Sequence, residues 1–325
     1  MPKAVIAKEL GPVENYRLEE HDPGPLKPAQ VRIAIAAAGV SFVDVLTAGG
    51  NYQIKPPVPY IPGSECAGVI EAVGEEVTGL TPGMRVQAGN WGGMFADAAN
   101  VLASNVRPIP DAMPFDEAAV FHVSYATAWH ALVDRGRLQV GETLLVMGAG
   151  GATGFAAVQI GKHLGARVIA SASSPAKRDL ALAGGADAAV DARGDDWREA
   201  VRAANDGNPV DMVFDPVGGP ATDPAFRSLA WNGRHLIIGF PAGIAALRTN
   251  LPLLKGAALI GVDIRQFGLY EPEKAAANVR TIYDLAGQGI LKPVIAVRFK
   301  LADFAEAMTA ASGGSLAGRV VLEMH

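Results

Sequence analysis

From Thr143 to Gly161 the chain runs nineteen residues without a charge, and the apolar period changes inside that run. Leu144-Leu-Val-Met reads as a short buried strand. Gly148, Gly150, Gly151 and Gly154 follow at once, and from Thr153 to Leu164 the spacing is helical. A membrane span would keep one helical period throughout, so the break points to a strand, a tight turn and a helix gathered around an anion. The glycines fit the dinucleotide fingerprint with Ala149 in first place, then Gly151 and Gly154. Gly151 lets the backbone approach a pyrophosphate, and Gly154 lets helix and strand pack closely. Backbone amides and the positive helix end then hold the phosphate.

Such a turn opens an alternating α/β fold, and the alternation is present downstream. Arg167-Val-Ile-Ala is strand-like and Ala176–Ala183 helical; Ala188-Ala-Val-Asp is a strand and Trp197–Ala204 a helix. Met212-Val-Phe-Asp, a helix near Pro224–Leu229, His235-Leu-Ile-Ile-Gly and a sixth strand in Ala257-Ala-Leu-Ile-Gly-Val complete the series. The pattern predicts a parallel, doubly wound sheet. Before it, Asp116–Leu132 is alanine-rich and reads as a helix. The first 120 residues read instead as short strands broken by turns such as Asp22-Pro-Gly, Ile61-Pro-Gly and Thr81-Pro-Gly, a mainly antiparallel β domain. After the sixth strand come helices at Glu273–Gly287 and Leu301–Ala311 and a closing strand, Arg319-Val-Val-Leu. A length of 325 residues accommodates two such domains.

Composition narrows the partners. With 28 Lys and Arg against 33 Asp and Glu, the net charge of −5 disfavours nucleic acid or an anionic membrane as the main partner. The single cysteine, Cys66, excludes an internal disulfide and an all-cysteine zinc site. The opening residues carry no signal-peptide pattern, so a reducing, cytoplasmic location is expected.

The second strand of the alternating region bears on the choice of cofactor. An enzyme using NAD places an acid there to hold the ribose 2′-hydroxyl. Between Gly165 and Ala176 there is none; Ser171, Ser173 and Ser174 are followed by Lys177 and Arg178. Hydroxyls and cations suit a 2′-phosphate, so the expected cofactor is NADPH.

Catalytic groups are scarce. No His-Glu-x-x-His, paired-Cys or Gly-x-Ser-x-Gly motif occurs, and His21, His122, His130, His163, His235 and His325 are scattered without ligand spacing, most of them read as packing or surface residues. Tyr270-x-x-x-Lys274 has the spacing of a proton-donating pair but contains Pro272 and follows the sixth strand, so it reads as surface. Reducing a simple ketone develops a full alkoxide, which calls for a Lewis acid or a close proton donor. A quinone or an α,β-unsaturated carbonyl spreads the incoming charge and needs mainly positioning. Conjugated acceptors are therefore expected.

Several segments together resemble a known family: Ala38-Gly-Val-Ser-Phe-Val-Asp44, Pro59-Tyr-Ile-Pro-Gly-Ser-Glu-Cys-Ala-Gly-Val-Ile-Glu-Ala-Val-Gly74, Gly83-Met-Arg-Val86, the glycine turn, and Asp215-Pro-Val-Gly-Gly219. The chain is similar over nearly its whole length to the zinc-independent, zeta-crystallin-like quinone oxidoreductases of the medium-chain dehydrogenase/reductase superfamily. The resemblance implies an α/β protein: a GroES-like β-rich catalytic domain, residues 1–122 and 266–325, and a Rossmann NADPH-binding domain, residues 123–265. It also implies a homodimer or homotetramer acting on a small-molecule quinone or enone. Where zinc-containing relatives place a Cys and a His, this chain has Ser41 and Ser64.

By matched motif, the resemblance assigns Gly150, Gly151, Ala152, Thr153 and Gly154 to the pyrophosphate, and Ser173 and Lys177 to the 2′-phosphate, with Arg193 compensating for Ala192, where relatives carry Tyr or His. Val217, Gly239, Phe240 and Pro241 line the cofactor. Tyr52, Ser41 and Thr127 are the candidate catalytic hydrogen-bond donors, although Ser41 stands where Asn is common. Each has a plainer reading: Tyr52 as a loop anchor, Thr127 bonded back within its helix, Asp44 paired structurally, Trp91 either a stacking wall or core. Cys66 reads as a buried, inert thiol. Two other functions stay open: an enoyl- or acryloyl-thioester reductase, which would need a basic patch for coenzyme A, and an NADPH-binding protein with little catalysis, of a crystallin or RNA-binding kind.

Overall fold

A computed structural model describes residues 1–52 and 55–324; His325 lies outside the described residues. The chain divides into two compact units, Met1–His122 with Lys292–His325, and Val123–Leu291.

The first unit begins with β1 (Lys3–Ile6) and β2 (Arg17–Glu20), paired antiparallel. Then come β3 (Gln30–Val40), α1 (Phe42–Ala48), β4 (Glu65–Val73), β5 (Arg85–Gly89), β6 (Ala98–Leu102), β7 (Val106–Pro108) and α2 (Phe115–Ala118). Burial alternates residue by residue along the first part of β3, the period-two pattern of a strand with one face in the core. Over its last four residues β3 is buried on both faces. It is the hub of this sheet, pairing antiparallel with β4 and β6.

The second unit contains α3 (His122–Trp129), which opens at the boundary, and runs on as a π-helical turn over His130–Arg135. Next are β8 (Thr143–Met147), α4 (Ala152–His163), β9 (Arg167–Ala172), α5 (Pro175–Ala183), β10 (Ala188–Asp191), α6 (Trp197–Ala204), β11 (Val210–Asp215), α7 (Thr222–Arg227), β12 (Leu229–Ile237), α8 (Asn250–Lys255) and β13 (Ala258–Gly261). These six strands are all parallel, in the order β10-β9-β8-β11-β12-β13. That is the 3-2-1-4-5-6 order of the Rossmann fold, with the direction of winding reversing between β8 and β11. Every residue of β8 is buried, as a central parallel strand covered on both faces requires. Helices α9 (Ile264–Tyr270) and α10 (Pro272–Gly287) follow.

The tail returns to the first unit with β14 (Ile295–Lys300), α11 (Phe304–Ser312) and β15 (Arg319–Glu323). β15 pairs antiparallel with β3 and parallel with β14, which stands at the end of the seven-stranded sheet, a GroES-like arrangement. Phe304, Ala307 and Met308 of α11 join Val31, Ile33 and Ile35 of β3 in one core.

Three expectations need correction. The return to the first unit falls at Lys292, not at 266. Helices α9 and α10 are tied to the second unit: Phe267 stacks on His130 with ring centroids 3.8 Å apart, Lys274 pairs with Asp134 at 3.0 Å, and Asn278 donates to Asp134 at 2.7 Å. Periodicity identifies such helices but not the surface that receives them. The single helix over 116–132 is instead α2, a turn, α3 and a π-helical turn. And α7 stops at Arg227, so that Leu229 already pairs with Val210 as the first residue of β12. Among the described residues no helix is long and apolar enough to cross a membrane.

Candidate active site

The glycine turn lies between the carboxyl end of β8 and the first turn of α4. The tight turn is made by Gly148, whose φ is +59°, and not by buried Ala149 in the fingerprint's first place. A β-carbon on Gly154 would strike the Gly148 carbonyl, so this glycine lets the helix sit against the turn. Gly151 caps α4 without any side-chain hydrogen bond, and no acid stands in the helix's first turn. The leading amides of Ala152, Thr153 and Gly154 are therefore left to an outside acceptor, and the helix end is positive. The donor set fits a pyrophosphate.

At the end of β9 the three serines have different fates. Ser171 is buried and accepts from the Trp197 indole at 2.8 Å, and Ser174 caps α5, accepting from the Lys177 amide at 3.4 Å. Ser173 is half-buried at the strand end. The two cations also separate. Arg178 pairs with Asp191 at the end of β10, at 3.0 Å, and donates to the Ala172 carbonyl. Lys177 instead runs across the turn, so close that a β-carbon on Gly150 would lie 2.5 Å from the Lys177 Cβ. Burial, and the Arg193 charge beside it, hold the Lys177 ammonium below its ordinary value. Lys177 and Arg193 thus form a positive place where the nearest strand-end acid is already neutralised by Arg178.

Val217 and the 239–241 segment belong to two stitched loops. Gly219 donates to the Gly243 carbonyl at 2.7 Å, and Ala242 to the Val217 carbonyl at 3.0 Å. The first loop hangs on Asp215, whose carboxylate accepts from the amides of Val217 and Gly218, from the Thr222 hydroxyl, and from His235 Nε2 at 3.0 Å. Burial alone would raise this carboxyl, yet His235 and the two amides bring it below the ordinary range. The reading of His235 as an ordinary scattered histidine missed this role. Its signal was available: His235 stands on the strand next to the one that ends in Asp215.

The first unit holds Ser41 and Tyr52. Ser41 caps α1 in a reciprocal box: its hydroxyl donates to Asp44 Oδ2 at 2.6 Å and accepts from the Asp44 amide, while its own amide donates to the same carboxylate. Its proton is thereby committed to the fold, which corrects the expectation that Ser41 hydrogen-bonds a substrate. Asp44 is buried, which raises its pKa against the lowering effect of the Ser41 and Ser64 hydrogen bonds. Hydroxyls and one shared carboxylate are a poor zinc donor set, and among the described residues no group of three or more His, Cys, Asp or Glu side chains is placed to hold a metal ion. The residues present do not fit a zinc ion. Tyr52 is half-buried and its ring lies 6.1 Å from that of Trp91, tilted by 36°. Trp91 is 55% exposed, which excludes the reading as core. Thr127, in the second unit, is buried within α3. Cys66 is fully buried, and burial pushes its thiol up to about 12.

Sequence comparison agrees with this architecture. Residues 27–111 match the alcohol dehydrogenase GroES-like domain, and residues 152–280 match the zinc-binding dehydrogenase family. Quinone oxidoreductase-like protein 2 of Rattus norvegicus is 33% identical over 99% of this chain and 92% of its own length. The structure of a probable oxidoreductase from Mycobacterium abscessus superposes with a TM-score of 0.90 at 35% identity, covering 99% of this chain and 98% of that one. A mycobacterial protein solved in complex with NADPH superposes at 0.89 with 26% identity, over 99% and 100% of the two chains. A GroES-like unit and a doubly wound unit with an open phosphate turn define an oxidoreductase of the medium-chain dehydrogenase/reductase superfamily. Within it, this chain belongs to the quinone oxidoreductase-like family.

Proposed function

We propose that the chain is an NADPH-dependent reductase that works without a metal and delivers hydride to quinones or α,β-unsaturated carbonyls. The observation that carries the reading is the end of β9: a half-buried Ser173, Lys177 laid over Gly150, Arg193 beside it, and Asp191 neutralised by Arg178. A 2′-phosphate finds cations and hydroxyls there, and the strand-end acid Asp191 is already paired with Arg178. The relative bound to NADPH supports the same choice.

The amides of Ala152, Thr153 and Gly154 hold the pyrophosphate, while the Gly151 amide is already given to the Gly148 carbonyl at 2.9 Å; Ser173, Lys177 and Arg193 hold the 2′-phosphate; Val217 and Gly239-Phe240-Pro241 line the rest. When bound, NADPH supplies the hydride. Tyr52 offers its hydroxyl to the developing oxyanion, and Ser41 positions α1 through Asp44. The Tyr52 and Trp91 rings give a flat acceptor an aromatic surface. Conjugation in the acceptor disperses its charge, so neither a Lewis acid nor a strong general acid is needed, and water supplies the last proton. We further propose a cytoplasmic homodimer or homotetramer; β13, a sheet edge with Leu259 exposed, supports association.

The test is oxidation of NADPH and NADH by chelator-treated protein against 1,4-benzoquinone, 9,10-phenanthrenequinone, a simple enone and acryloyl-CoA. Turnover of quinone or enone with NADPH is expected. Preference for NADH would overturn the cofactor assignment, and turnover of acryloyl-CoA alone would make the chain a thioester reductase.

A further inference from the structure

The doubly wound unit has a second cationic site, at the other end of its strands from the phosphate turn. The turn follows the carboxyl end of β8, to which β11 is parallel. At the amino ends of β11 and β12, Val210 and Leu229 belong to the lining of a cavity of about 300 Å³, within the range of small-molecule sites. Four cations line it, Arg198, Arg202, Arg227 and Lys255, and Trp231 completes the wall.

Helix geometry explains some of this charge. Arg202, Arg227 and Lys255 stand in the last turns of α6, α7 and α8, where cations offset the exposed carbonyls. Arg202 donates to the Gly207 carbonyl at 2.7 Å, Lys255 to the Leu229 carbonyl at 2.6 Å, and Arg227 pairs with Asp223. Helix ends carry only about half a unit charge each, so these and one carboxylate offset only part of four full charges. Arg198 has no such explanation. It stands in the first turn of α6, where the helix dipole disfavours a cation. The crowding is felt: burial first, then the charges of Arg198 and Arg227, hold the Lys255 ammonium below its ordinary value.

The aromatic wall is also built deliberately. In β12 the register jumps, with Leu229 opposite Val210 but Arg234 opposite Met212. The extra residues bulge outward, with Asn232 at φ +63°, and leave Trp231 77% exposed. An indole in that position offers a face to a flat ring.

We propose that this cavity binds a phosphate-bearing small molecule with a flat ring, in class a nucleotide, its phosphates held by Arg198, Arg227 and Lys255 and its ring against Trp231. Planar guanidinium groups match phosphate oxygens two at a time, and the anion relieves the repulsion among the cations. The site is separate from the phosphate turn, which lies at the opposite ends of the strands.

Calorimetric titration of the full chain, its phosphate turn first saturated with NADPH, with ADP, pyrophosphate and an eight-nucleotide RNA tests the proposal. Arg198→Glu should weaken both ADP and pyrophosphate about tenfold or more, the loss of a charge-assisted contact, and Arg198→Lys should recover much of it. Trp231→Ala should weaken ADP and leave pyrophosphate unchanged. Lys177→Glu, at the phosphate turn, should leave this binding in place. The proposal is overturned if neither small anion binds at millimolar concentration, if Arg198→Glu has no effect, or if Lys177→Glu abolishes all binding. It is overturned equally if the RNA binds about tenfold tighter than ADP in an Arg198-dependent way, which would make the cavity part of a nucleic-acid surface.

Discussion

The aliphatic stem of Lys177 lies across Gly150, at a distance that leaves no room for a β-carbon on the glycine. The contact joins the first turn of α5 to the turn between β8 and α4. A residue on the second helix thereby serves a site built on the first.

If the Lys177 ammonium holds a 2′-phosphate, Lys177→Ala should raise the Kd for NADPH about 10- to 100-fold and that for NADH by less than about threefold. Quenching of protein fluorescence by each nucleotide measures the ratio, and the difference should shrink with added salt. Equal losses for both nucleotides would remove Lys177 from the 2′-phosphate.

The Asp215–His235 pair is fully buried and anchors the 215–219 loop. Asp215→Ala should cost about 3–5 kcal/mol in urea unfolding, because it leaves a buried imidazole, a hydroxyl and two amides without their acceptor. The pH dependence follows from the lowered carboxyl. Its stabilisation is complete above the unfolded value near pH 4 and is lost as pH falls through the lower folded value. The gap between wild type and variant should therefore hold steady from pH 5 upward and narrow below about pH 4.

Tyr52 is proposed as a hydrogen-bond donor and not as the acid. Tyr52→Phe should then lower kcat by less than about 100-fold; a loss beyond about 10⁴-fold would make it a general acid. Trp91→Ala should raise KM for phenanthrenequinone more than it lowers kcat, since its ring supplies contact area.

Cys66 offers a check on the first unit's core. With the thiol fully buried and pushed up to about 12, the folded chain should not react with a disulfide reagent at pH 8. In urea the single thiol should react completely. Rapid modification of the native chain would contradict the packing around β4.

Much of the fold was legible in the residues. A strand–turn–helix with glycines at set places, followed by alternating units, leaves few arrangements other than a doubly wound parallel sheet, because each strand's apolar face must be covered by the helix that follows it. Gly151 and Gly154 were readable for the same local reason. Gly148 was not, since the fingerprint's spacing favoured Ala149 and only the backbone shows which residue takes positive φ.

What the sequence by itself determined was local: element order, the phosphate turn, the missing acid after β9, and the lack of metal-ligand spacing. What only the tertiary structure decided were the partners of side chains distant in sequence. Ser41 turned out to hold Asp44 and so spends its proton on a helix cap. Arg178 went to Asp191 while its neighbour Lys177 crossed Gly150. Helices α9 and α10 joined the second unit through Asp134 and His130, 144 residues from Asn278 in the first case. Periodicity and propensity act over a few residues, whereas these choices depend on which groups are brought within hydrogen-bond reach once the sheets have formed.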